Sequence, residues 1–121
     1  MRAFPVIYAR DVPQSAAFWE QLGFTRRYSY PDNDPGYISL RRDGFDVAVT
    51  TAEWAARYGL TFGTDPRFEM FVYVDELDRI VEELRAGGAE VLREPADMPW
   101  GERVAYVTDP DGNPVALAQA A

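Results

Sequence analysis

The 121-residue chain contains no histidine and no cysteine. The first absence removes the commonest metal ligand and the side chain most often used as a general base near neutral pH. The second removes the thiol nucleophile and any disulfide framework, though it leaves the redox compartment open. There is no glycine-rich phosphate loop and no Gly-x-Ser-x-Gly nucleophile turn. Ser15 falls in a helical pattern beside apolar neighbours, where a capping or packing role is the natural one, and Ser29 and Ser39 have no histidine to activate them. Only Tyr, Asp and Glu remain as acid–base groups. No apolar run approaches the roughly 20 residues of a membrane span. Met1-Arg2-Ala3-Phe4-Pro5 runs directly into a strand pattern without the long apolar core of a secretory signal, so the expected location is cytoplasmic. Basic residues are in the minority, 12 against 20 acidic, for a net charge of −8. That is the wrong sign for tracking phosphates, so nucleic acid is not an expected partner, and with no membrane-length apolar run a membrane is not one either.

What the chain does have is a pattern stated twice. Val6 to Asp11, the stretch Ser15 to Gly23 and Phe24 are echoed by Phe71 to Asp75, Leu77 to Gly88 and Ala89. Each copy is an apolar run, an Asp, an amphipathic stretch and a closing glycine, so two like modules are expected. The first opens with a strand over Ala3 to Ala9. Asp11 is the expected N-cap with Pro13 in the first turn, Ala16, Phe18, Trp19 and Leu22 share one helical face, and Gly23 fits a C-cap. Strands follow at Thr25 to Tyr30, Tyr37 to Arg42 and Phe45 to Thr51, the last two joined by the hairpin signal Asp43-Gly44. Residues 52–66 read as a connector with one or two helical turns. The second copy predicts a strand over Phe68 to Val74, Asp75 as N-cap, Leu77, Ile80, Val81 and Leu84 at helical spacing, and Gly87-Gly88 as the stop. Strands are then expected at Glu90 to Arg93, Arg103 to Thr108 and Pro114 to Ala118. The fold class is therefore α+β, built as βαβββ twice. Module 1 covers about 1–51 and module 2 about 67–121 of a single 1–121 domain. Phe18, Trp19, Phe24 and Phe71 are expected to be core.

Three motifs, in this order and spacing, carry a resemblance. They are Arg10-Asp11-Val12 with Phe18-Trp19 and Leu22-Gly23-Phe24, Val74-Asp75 with Gly87-Gly88-Ala89, and Asp109-Pro110-Asp111-Gly112-Asn113-Pro114 before the last strand. Over almost its whole length the chain resembles the vicinal oxygen chelate superfamily of glyoxalases, extradiol dioxygenases and bleomycin resistance proteins. The resemblance implies sheets curled around a cleft and a homodimer. Enzymes of that family hold a divalent metal through His and Glu at inward strand positions, which fall here on Phe4, Ala48, Glu69 and Ala116. Three of the four are apolar, and Glu69 alone does not supply the donors a metal needs. No metal or other cofactor is therefore expected. Asp46 is the other acid nearby and shares a face with Ala48 on alternation, while Glu69 has Arg67 or Arg103 as expected partners.

Within the superfamily, Met98-Pro99-Trp100-Gly101-Glu102-Arg103 is similar to the segment of the bleomycin resistance branch that places a tryptophan at the ligand cleft. The expected function is binding, without turnover, of an aromatic and cationic small molecule, as in antibiotic resistance by sequestration. The candidate ligand-binding residues are Trp100, Arg103, Glu69, Phe45, Tyr30, Trp54, Tyr58, Phe62 and Glu102. Flat rings suit offset stacking, and the acids suit a positive tail. Two other readings stay open: a metal-independent isomerase or lyase with Glu69 or a tyrosine as base, and an interaction module whose cleft is vestigial.

Overall fold

The computed structural model describes residues 3–57, 63 and 69–121. The chain divides into two units, Met1–Gly63 and Thr64–Ala121. The first unit contains β1 (Val6–Ala9), α1 (Val12–Gln21), β2 (Thr25–Tyr30), β3 (Tyr37–Arg42), β4 (Phe45–Thr51) and α2 (Ala52–Arg57). Its strands form one mixed sheet in the order β1-β4-β3-β2, with β1 parallel to β4 and the other pairs antiparallel. The second unit repeats the plan with β5 (Met70–Tyr73), α3 (Leu77–Ala86), β6 (Val91–Asp97), β7 (Arg103–Thr108) and β8 (Pro114–Gln119), in the order β5-β8-β7-β6. The expected βαβββ repeat is thus present in both halves.

Helix α1 starts where Asp11 accepts a hydrogen bond from the Gln14 backbone N–H at 3.0 Å, with a proline in the first turn. Its buried face is Val12, Ser15, Ala16, Phe18 and Trp19. Trp19 meets Phe18 and Phe24 edge-on at centroid distances of 5.1 and 5.7 Å, an arrangement favoured by the ring quadrupoles. In the second unit Leu77, Val81 and Leu84 are buried from α3, with Ile80 only half-buried at the margin of that face. The Asp43-Gly44 hairpin holds both residues at positive φ, 50° and 81°, as the tight two-residue connection requires.

Several expectations are corrected. The cap of α1 at its C-terminus is Leu22, with Gly23 one position beyond it. The residue at the N-cap of α3 is Glu76 rather than Asp75, and its side chain makes no capping bond. Instead the Leu77 N–H donates to Gln119 Oε1 at 2.9 Å, so a side chain from β8 satisfies that helix end. The first strand is Val6–Ala9 rather than Ala3 to Ala9, and β5 is Met70–Tyr73, without Glu69 and Val74 of the expected Phe68 to Val74, while Phe68 itself lies outside the described residues. Strand β6 runs on to Asp97 through Pro95, which sits at the edge of the sheet where the pairing with β7 shifts register between Arg93 and Ala96, a place that tolerates a residue without a backbone N–H. Phe71 is not core: it is 44% exposed.

Candidate functional site

Cross-strand register sorts each sheet into two faces. In the second unit Val72, Ala105 and Leu117 lie on the buried face covered by α3. The opposite face carries the rows Phe71, Ala116, Tyr106, Arg93 and Tyr73, Ala118, Val104, Ala96. Phe71 and Tyr73 stand 44% and 49% exposed beside Ala116 and Ala118, both fully buried. The first unit repeats these rows as Val6, Ala48, Ser39, Tyr28 and Tyr8, Thr50, Tyr37, Tyr30. Tyr8 thus corresponds to Tyr73, and Ala48 to Ala116.

Five residues, 98–102, join β6 to β7 and raise Trp100. The Gly101 N–H donates to the Met98 carbonyl at 3.0 Å and the Met98 N–H to the Glu102 carbonyl at 2.8 Å, closing a turn with Pro99 at its second position. Gly101 follows at φ 101°, a conformation that favours glycine. Trp100 is therefore held at the turn apex, 63% exposed. Its indole N–H donates to Glu102 Oε1 at 2.8 Å. The Tyr73 hydroxyl also donates to Glu102, and that hydrogen bond, aided by burial and the carboxylate charge, holds the phenol above its usual pKa. Phe71 meets Tyr73 at 5.4 Å with the rings tilted by 56°. Four side chains thus form one connected corner.

Of the residues expected from sequence, Trp100 and Glu102 are brought together. Arg103 faces other partners: its guanidinium holds both oxygens of Asp78 at 3.0 and 2.9 Å and Asp97 at 3.1 Å. It bridges α3 to the β6 end instead of pairing with Glu69, and these carboxylates push its pKa up while the guanidinium lowers that of Asp78. Glu69 is exposed, one residue before β5. Tyr30 is 60% exposed in the row with Tyr37, and Tyr28 meets Tyr37 edge-on at 6.3 Å. Phe45 alternates with Val47 and Val49, so it lies on the opposite face of its sheet from Tyr28 and Tyr30. Asp46 does share the face of Ala48, where Arg41 binds it with two hydrogen bonds at 2.7 and 3.2 Å. Trp54 belongs to α2, while its side chain, Arg67, Tyr58 and Phe62 lie outside the described residues. Tyr73 and Phe71 join this corner without being among the candidates expected from sequence, although alternation about Val72 carries the signal.

The donor set does not fit a divalent metal. Ala48 and Ala116 pair with Val6 and Phe71, and with Phe4 they put three side chains without a donor at the family's four ligand positions. Among the described residues no three His, Cys, Asp or Glu side chains gather to hold an ion.

The class follows from comparison. Residues 3–117 match the Glyoxalase/Bleomycin resistance protein/Dioxygenase superfamily, and the chain belongs to it. A bleomycin resistance protein of Klebsiella pneumoniae is 30% identical over 98% of this chain and 91% of its own. CFP32 of Mycobacterium tuberculosis, named as a glyoxylase candidate, is 32% identical over 62 residues, 51% of this chain; the match spans 24% of CFP32. The crystal structure of a glyoxalase-related enzyme from Fulvimarina pelagi superposes with a TM-score of 0.80 at 24% identity, covering 98% of this chain and 87% of that one, and so shares the fold. No helix among the described residues is long and apolar enough to cross a membrane.

Proposed function

We propose that the protein is a metal-independent binder of a flat aromatic, positively charged small molecule, which it sequesters without chemical change and as a homodimer, in the manner of a bleomycin resistance protein. The observation that carries this reading is Trp100, a 63% exposed indole fixed at a turn apex through its N–H. An exposed ring held still is an anchor for stacking, worth about 0.5–1.5 kcal/mol per aromatic pair beyond the area it buries. The resistance protein of Klebsiella, similar over 98% of this chain, supports the ligand class, and the net charge of −8 favours a cationic ligand. The strand positions that hold metal elsewhere in the family carry Phe4, Ala48 and Ala116 here, which supports metal independence. A cytoplasmic location belongs to the same proposal.

Titration calorimetry with metal-free bleomycin tests it. Trp100→Ala is expected to weaken binding by about 2 kcal/mol, roughly thirtyfold, as for a central aromatic anchor. A ligand recovered chemically altered after incubation would show an enzyme and refute sequestration. Unchanged affinity in the variant would remove Trp100 from the site.

A further inference from the structure

Tyr73 and Trp100 stand on segments that are not neighbours in the sheet. Tyr73 is on β5 and Trp100 precedes β7, while β8 runs between those two strands. Adjacent strands lie about 4.8 Å apart, so the two backbones are separated by about 10 Å. Glu102 spans that gap with one carboxylate, accepting the indole N–H at 2.8 Å and the phenol hydroxyl. The strand between them is β8, where Tyr73 pairs with Ala118.

The inventory of donors explains why the acceptor matters. An indole has a single N–H donor and no acceptor, and a side chain at a turn apex otherwise samples several rotamers. Binding a ligand on a freely turning ring pays for that ordering, about 0.5–1.5 kcal/mol per immobilised side chain; a ring locked beforehand avoids it. We propose that Glu102 is a positioning residue, which holds Trp100 and Tyr73 as one preorganised wall for a flat ligand and is not the receptor of the ligand's positive charge. This rests on the reading of Trp100 as the stacking platform. A neutral acceptor in the same place is then sufficient. Glutamine offers Oε1 to the indole and its amide N–H to the Tyr73 hydroxyl, which both donates and accepts.

The test compares Glu102→Gln with Glu102→Ala in the full chain by two readouts. Without ligand, NMR of tyrosine- and tryptophan-labelled protein follows the Tyr73 phenol and the Trp100 indole N–H. In Glu102→Ala the phenol is expected to titrate closer to the ordinary 10.0 and the indole resonance to shift and broaden. A Tyr73 titration unchanged by Glu102→Ala would overturn the clamp whatever the ligand. With metal-free bleomycin as probe, Glu102→Ala is expected to weaken binding at least tenfold and Glu102→Gln less than threefold. Equal losses in both, shrinking as salt is raised, would make Glu102 a charge receptor and overturn the proposal. Trp100→Ala with unchanged affinity, alongside a shifted Tyr73 titration in Glu102→Ala, would instead overturn the platform reading alone.

Discussion

The Ser15 hydroxyl is fully buried in α1 and, among the described residues, hydrogen-bonds to nothing; the Trp19 indole N–H, one helical turn on, is in the same position. Ser15 shares the buried stripe with Ala16, Phe18 and Trp19, and its small volume suits contact with the sheet while its oxygen gains nothing there. An unsatisfied buried hydroxyl costs about 1–3 kcal/mol of desolvation, so its removal should help. Ser15→Ala is expected to raise the urea midpoint, by about 1 kcal/mol of stability or more, since better helix propensity adds to the relieved desolvation cost. A loss of comparable size would reveal a partner for the hydroxyl. Trp19 is the reverse case. Its ring packs edge-on against two others, and Trp19→Ala should cost about 3–5 kcal/mol because the cavity cannot collapse.

At the scale of elements, the Asp109–Asn113 turn shows how one side chain organises a connection. Asp109 Oδ1 accepts the backbone N–H groups of Asp111 and Asn113 at 2.9 and 2.8 Å, and Oδ2 accepts Asn113 Nδ2 at 2.8 Å. Asp109→Ala leaves these donors unpaired and is expected to cost about 1–3 kcal/mol. Burial raises the Asp109 pKa, and the bonds from Asn113 and Asp111 offset only part of that. The folded state therefore holds this proton at pH values where the unfolded chain, with a pKa of 3.8, has lost it. Linkage then makes this group's contribution fall as pH rises from 3.8 through the folded value. Asp78 runs the other way: Arg103 lowers its pKa, and its contribution is lost as pH falls through the folded value. The check is chemical denaturation of wild type and Asp109→Asn at several pH values. The wild type should lose stability relative to the variant across the Asp109 window, and parallel curves would refute the assignment. Element types and most strand limits were legible because turn chemistry and period agree there, as at Asp11 and Asp43-Gly44. The start of α3 was not, because Gln119, 42 residues away, supplies the acceptor that local reading assigned to Asp75. The short apolar run around Phe71 hides its period and points to core, whereas the pairing of β5 with β8 decides which residues turn outward. Trp100 and Glu102 were legible as neighbours in a motif, whereas Tyr73 joins them only through the order of the sheet.

Over the whole molecule the charge is divided unevenly. The first unit holds seven arginines and seven acidic residues, and the second holds five arginines against thirteen acids, so the net −8 belongs entirely to Thr64–Ala121. Local pairing does not remove this excess. Arg79 lies between Glu76 and Glu83, Arg85 between Glu82 and Glu94, and Arg103 between Asp78 and Asp97, so each cation is shared by two anions. Such pairs add little stability singly, being exposed and screened, but the surplus negative charge acts on anything approaching the unit. Trp100, Glu102 and Tyr73 all belong to that unit, so its field should draw a cation toward the aromatic corner. The Debye length shrinks from about 30 Å at 0.01 M salt to about 3 Å at 1 M, which separates this long-range attraction from stacking at contact. Stopped-flow binding of a planar dye carrying one positive charge, beside a neutral dye of the same ring system, is the measurement. The association rate of the cation is expected to fall about tenfold or more between 0.01 and 0.5 M salt, with the neutral dye nearly unaffected. Dissociation should change little for either, because the rings that hold the ligand carry no charge. Equal salt dependence for the two dyes would mean that the field plays no part in capture, and a salt effect confined to dissociation would place the charge contact inside the bound complex.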